Sequence, residues 1–225
     1  MRPPLRALLE HPYRFVAIAL VVEAAAALAL FGSGVEGLQA IARYSGRAGL
    51  LWFALIFAIA PWHRFAPGEW TRLALRRRRH LGLAFGVHHL VHLVELLTYL
   101  GMSGKGLDLS RAAGGMVGYV LLVFMMLTSN DAAVARLGAK NWKRLHRTGL
   151  WYLWIVFLMT YLPRVRGERP DAGGGPVEWT ACLALVIAMA ALRAAAFATR
   201  RRPAPPAARG SGHHAERTGS RARFS

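Results

Sequence analysis

The sequence predicts an all-α, polytopic membrane bundle of about six transmembrane helices. Three observations predict it. Hydrophobic residues make up 55% of the chain, yet the net charge is +18. The apolar residues gather in runs of near-membrane length, and the basic residues gather between those runs. Neither strand alternation nor a long internal repeat interrupts the pattern. A nucleic-acid binder is the usual owner of so much positive charge. It would carry the charge on one face of a folded domain, so this distribution argues against nucleic acid as a partner and for a lipid bilayer.

Residues 1–14 form a basic N-terminal segment with Arg2, Arg6 and Arg14. The first span runs from about Phe15 to Phe31 and ends in Gly32-Ser33-Gly34. A basic start before an apolar core also describes a signal peptide, but this run exceeds the usual apolar length of one, which favours an uncleaved span. The second span covers about Ala48 to Trp62, with Pro61 near its end. Four consecutive arginines, Arg76 to Arg79, lead into the third span, His80 to Gly101. The fourth covers Ala113 to Thr128, the fifth Thr148 to Leu162, and the sixth Val177 to Phe197. Together they define a transmembrane domain over 15–199. The tail, 200–225, is rich in Arg, Pro, Ala, Gly and Ser and reads as disordered.

Six spans place both termini on one side. That side collects most of the Lys and Arg; the other holds Arg43, Arg47, Lys105, Arg111, Arg164, Arg166 and Arg169. The positive-inside rule then puts both termini in the cytoplasm. The spans leave no room within these residues for a folded nucleotide-binding domain. Cys182 is the only cysteine, which excludes an intrachain disulfide, a thiolate zinc site and a cysteine-ligated iron–sulfur cluster. Any metal would be held by histidine.

The third span, HLGLAFGVHHLVHLVELLTYLG, carries His88, His89, His92 and Glu95 within hydrocarbon depth. Ionisable residues there are costly and signal function by default. On a helix, His88 and His92 share a face, Glu95 falls near it and His89 lies at its border. Neutral imidazole is a favoured iron ligand, so metal or haem ligation is one explanation, with Glu95 orienting an imidazole. Hydrogen bonds between neighbouring helices are the other. A haem between helices needs a second ligand at similar depth. In the fifth span His146 lies near the start, and Met159 lies at about the depth of His92; thioether sulfur is a recognised haem ligand. Glu23 is a second buried carboxylate, suited to a histidine partner, a quinone or a proton path. His11, His63 and His80 sit at span ends, as interfacial histidines do.

SGRAGLLWFAL, RRRRHLGLAFGVHHLVH and LTSNDAAVARLGAKNWKRLHR together resemble the ferric reductase-like transmembrane domain family. They are most similar to the haem-binding membrane subunits of bacterial protein-methionine-sulfoxide reductase systems, over about residues 40–162. The resemblance implies that His92 takes the place of the family's third-span haem histidine and His146 that of its first fifth-span histidine. The second fifth-span histidine is replaced by Met159. Three outcomes follow: methionine ligation, a changed site that includes His88 and His89, or loss of one haem position.

The resemblance further implies a b-type haem (haem b) in a bacterial inner membrane. The chain would be an electron-transfer subunit rather than a complete enzyme. Its donor would be a cytoplasmic flavin reductase or membrane quinol, and its acceptor a periplasmic molybdopterin reductase. A flavin mononucleotide (FMN) is implied by the resemblance alone. Two other classes stay open: a haem-free accessory subunit of the same fold, and a proton or ion pathway through Glu23, Glu95 and the histidines.

Overall fold

Eight helices make up the fold of the computed structural model, which describes residues 3–104, 106, 108–169 and 173–200. They are α1 (Pro3–Glu10), α2 (Pro12–Phe31), α3 (Val35–Phe65), α4 (Glu69–Met102), α5 (Leu109–Leu127), α6 (Asp131–Leu137), α7 (Ala139–Val165) and α8 (Pro176–Arg200). There is no strand among the described residues. Apart from Arg200, which ends α8, the tail expected to be disordered lies outside the described residues.

α3 and α4 are longer than the spans the sequence predicts. They have 31 and 34 residues, and at about 1.5 Å per residue they outreach a hydrocarbon core of about 30 Å. Hydropathy marks only the part in contact with lipid. The helices run on through Glu, Gln, Arg and Thr, which have no need to leave a helix at the interface. α2 is apolar nearly all round, opens with Pro12 and stops at Gly32, whose φ of 76° suits glycine.

Four described helices are long and apolar enough to cross a membrane alone: α2, α3, α4 and α8. α5 joins them as a fifth only together with α6, from which it is bent by 104°. The bend has a local cause. Asn130 caps α6 by accepting from the Ala133 N–H at 2.8 Å, the Thr128 and Ser129 hydroxyls turn back onto α5 carbonyls, and Trp142 Nε1 donates to Thr128 O at 2.8 Å. The fifth predicted span falls in α7, which is not among the apolar set: basic residues fill its first turns, and Trp, Tyr and Thr dilute the rest. Its 27 residues nevertheless pack between α5 and α8.

α3 lies at the centre, packed on α2, α4 and α8. Phe53 is fully buried there, with ring centroids 5.2 Å from Phe57, 5.7 Å from Phe85 and 5.0 Å from Phe157. Trp154 Nε1 ties α7 to α8 through Val186 O at 2.8 Å. α1 is more than a leader: its Leu9 is buried, and the helix rests on α4. The outer faces carry Val21, Leu30, Val94, Val120, Phe124, Ile155 and Ile187 exposed, an arrangement suited to lipid rather than water.

Candidate functional site: buried histidines and a cationic cavity

The register of α4 turns its histidines inward. His88 is fully buried and His89 nearly so. Two glycines of α3 make room. A Cβ on Gly49 would lie 2.8 Å from His89 Nδ1, and a Cβ on Gly46 would lie 3.1 Å from His92 Cε1. This Ser45-Gly46-x-x-Gly49 stripe lets the two backbones approach, as small residues do in membrane helix pairs. Aromatic rings fix His89: its centroid is 5.0 Å from Phe85, 5.5 Å from Tyr119 and 5.7 Å from Phe157, and His92 lies 5.3 Å away.

Hydrogen bonding around these rings is uneven. His92 Nδ1 lies 2.9 Å from Ser45 Oγ. The Ser45 hydroxyl also has an acceptor of its own, Ala42 O at 3.4 Å. When the hydroxyl donates to Ala42 O it can receive the His92 Nδ1–H, the tautomer that leaves Nε2 with a free lone pair, as a ligating imidazole requires. His88 differs: Glu23 Oε2 of α2 stands 3.7 Å from its Nε2, beyond hydrogen-bond range. Among the described residues neither nitrogen of His88, nor His89 Nδ1, nor one oxygen each of Glu23 and Glu95 has a hydrogen-bond partner. Buried orphans of this kind call for an explanation.

A bare metal ion does not supply one. Among the described residues no group of three or more His, Cys, Asp or Glu side chains is placed to hold a metal. Haem makes a smaller demand, because the porphyrin provides four of the iron's ligands and the protein one or two.

Toward the arginine-rich end, α3, α4, α5, α7 and α8 line a half-open cavity of about 670 Å³, a size suited to a small cofactor. Ile56, Ile59, Phe85, Leu122, Met125, Met126, Leu150 and Leu153 give it an apolar lining. His80 of α4 and His146 of α7 also line it, with Arg76, Arg78, Arg79, Lys143, Arg147 and Arg193. Among the described residues no acidic side chain lines it. The His146 ring packs on Trp142 at 4.2 Å, and its Nε2 is 3.3 Å from Thr128 Oγ1. An apolar interior, imidazoles and a cationic wall fit haem, which is apolar in its ring and anionic at its carboxylates. Phe85 joins the two regions: it lines the cavity and stacks on His89.

The structure thus brings together His88, His92, Glu95, His89 and Glu23, and sets His146 in the cavity. It does not bring Met159 to the histidines. Met159 is half exposed on the outside of α7, while Phe157 is buried and faces His89. Residues two apart on a helix point about 200° apart, so depth alone could not choose between them. His80, expected to be only interfacial, is on the cavity wall, with Nδ1 3.5 Å from Tyr13 OH. His63 stays peripheral, bonded to Thr71 Oγ1 at 2.7 Å. Sequence reasoning passed over Ser45, Phe85, Tyr119 and Arg193. Only Arg193 left a clear signal, as a lone cation inside the apolar run ACLALVIAMAALRAAAF.

Two curated relatives carry the same printed name, protein-methionine-sulfoxide reductase heme-binding subunit MsrQ. The one from Azospira oryzae is 28% identical over 137 residues, covering 55% of this chain and 58% of the relative. The one from Ralstonia nicotianae is 29% identical over 120 residues, covering 51% of this chain and 54% of the relative. Over that stretch the chain is similar to MsrQ. It spans just over half the length of these relatives. No family model matches the chain, and no solved structure matches it. With its apolar helices, the relationship makes this a multi-pass membrane protein.

Proposed function

We propose that the chain is a haem-binding, electron-transferring membrane subunit of a methionine-sulfoxide reductase system. The observation that carries this is the cavity between α4 and α7, with imidazoles on its wall, an apolar interior and no acid among its lining residues. The name of the MsrQ relatives agrees with it. Haem b would supply one-electron redox chemistry. The residues of the chain do the rest. His146 offers an imidazole from the cavity wall, and His92 offers Nε2 because Ser45 occupies its Nδ1. His88 is a further ligand candidate with both nitrogens unpartnered among the described residues. Met159 would have to turn inward to serve. The packed rings of Phe53, Phe85 and Phe157 keep water out.

The resemblance to haem-binding membrane subunits suggests the direction of electron flow. With the arginine-rich end cytoplasmic, electrons would enter near the cavity from a flavin reductase or membrane quinol. They would leave past His92 to a periplasmic molybdopterin reductase. FMN, implied by resemblance alone, has no residues assigned to it. One observation favours a second reading: the approach of Glu23 to His88 inside the bundle suits a proton pathway.

An optical spectrum of the detergent-purified protein, oxidised and then dithionite-reduced, tests the proposal. The expected result is an intense Soret band with sharp reduced bands, lost or shifted in His92→Ala and His146→Ala. A flat spectrum from cells supplied with haem precursor overturns it and leaves the proton pathway standing.

A further inference from the structure

Arg193 is a cation inside an otherwise apolar helix, about 10 Å from the end of α8 at 1.5 Å per residue. Its side chain is half buried and lines the cavity. Three contacts immobilise it. Nε donates to Phe57 O at 2.9 Å, and Cζ sits 3.9 Å from the Phe57 ring centroid and 5.8 Å from that of Trp151. The first contact has a cause in the sequence. In an α-helix the Phe57 carbonyl would accept from the N–H of residue 61, and residue 61 is Pro61, which has none. Arg193 fills that gap with one edge of its fork.

The other edge of the fork has no acceptor among the described residues. Among the described residues Arg193 forms no ion pair, and no carboxylate lines the cavity. Arg147 of α7 lines the same cavity. Arg193 and Arg147 face one half-buried cavity that Arg76, Arg78, Arg79 and Lys143 also line, and with no acid among its described lining residues charge is left uncompensated in a poorly solvated place. An anion entering the cavity would relieve it, and a planar fork matches a carboxylate through paired hydrogen bonds.

We propose that Arg193, with Arg147, receives the carboxylates of the haem in this cavity. This rests on the haem reading above and goes beyond it by assigning the residues that recognise the acid groups. Arg193 is then a binding residue that also caps Phe57.

The test is a titration of the full-length, haem-depleted protein in detergent. Two probes are compared: haem, and haem whose two carboxylates are methyl esters. The wild type should bind the free acid about tenfold more tightly, the equivalent of one charge-assisted hydrogen bond. Arg193→Gln should abolish that preference while still binding the ester. If the wild type binds both probes equally, or Arg193→Gln keeps the preference, the proposal fails and the haem reading survives. If the wild type binds neither probe, both fail.

A second variant guards against a purely structural role. Pro61→Ala restores the N–H that Phe57 O lacks. If the Pro61→Ala, Arg193→Gln double variant regains the preference for the free acid, Arg193 serves only the helix, and the proposal is overturned. If the preference stays lost in a protein that elutes and melts normally, the anion-binding role stands. Loss of a co-purifying anionic lipid from Arg193→Gln, with the haem preference intact, assigns the fork to lipid instead and also overturns it.

Discussion

Gly49→Ala probes the contact on which the histidine cluster depends. The new Cβ would meet His89 Nδ1 at 2.8 Å and His89 Cε1 at 3.1 Å, with His88 Nδ1 at 3.6 Å. Ordinary contacts begin near 3.4 Å, so about 0.6 Å of overlap must be relieved. A flexible side chain would absorb that cheaply. His89 is held by Phe85, Tyr119 and Phe157, so either the ring leaves its stack or α3 and α4 separate. Overpacking of this kind costs about 1–3 kcal/mol. For a chain of this size that is a fall in melting temperature of about 2–12 °C. Gly101→Ala on α4 is the control, since nothing lies within 4 Å of its added Cβ. It should be neutral or stabilising by up to about 1 kcal/mol, from helix propensity alone. Thermal unfolding in detergent, followed by tryptophan fluorescence, reads both. If Gly49→Ala melts with the wild type, the close approach of α3 to α4 is not what seats the histidines.

Three other outcomes are expected. Trp154→Phe removes the bond to Val186 O and should cost about 0.5–1.5 kcal/mol, seen as a lower melting temperature with unchanged helix content by circular dichroism. Asn130→Ala removes the cap of α6 and should cost about 1 kcal/mol, with faster amide exchange confined to residues 130–138. The hydrogen bond and charge of Arg79, 2.6 Å away, hold the Asp131 carboxyl below its usual range. A depressed carboxylate pKa adds stability above the unfolded value and loses it as pH falls through the folded one. Protection of the α6 amides, relative to their intrinsic exchange at each pH, should therefore fall as pH drops below about 3.9, and Asp131→Asn should remove that dependence.

Much of the molecule was legible in the sequence, for reasons that can be stated. Apolar runs bounded by Arg and Gly fix where lipid contact begins and ends, so the helices appear where hydropathy put them. Their true ends did not show, because a helix can continue beyond the membrane through Glu, Arg and Gln. The inward face of α4 was also readable, since His88, His92 and Glu95 follow the helical repeat. Met159 was a different matter. Its depth matched His92, but depth says nothing about rotation, and the packing of α7 between α5 and α8 turned Phe157 inward, against Phe53 and His89, instead.

The sequence by itself determined an all-helical membrane chain, a basic end and a helix with imidazoles at hydrocarbon depth. These follow from solvation: charge stays near water, apolar side chains stay in lipid, and a buried imidazole needs a reason to be there. Only the tertiary structure decided which distant residues share that depth. It paired Ser45 with His92, set Glu23 opposite His88, and brought His80, His146 and Arg193 to one cavity from α4, α7 and α8. Those meetings depend on how each helix is rotated against its neighbours. Rotation is set by glycines that admit close contact and by rings that fill what remains, which no single helix specifies alone.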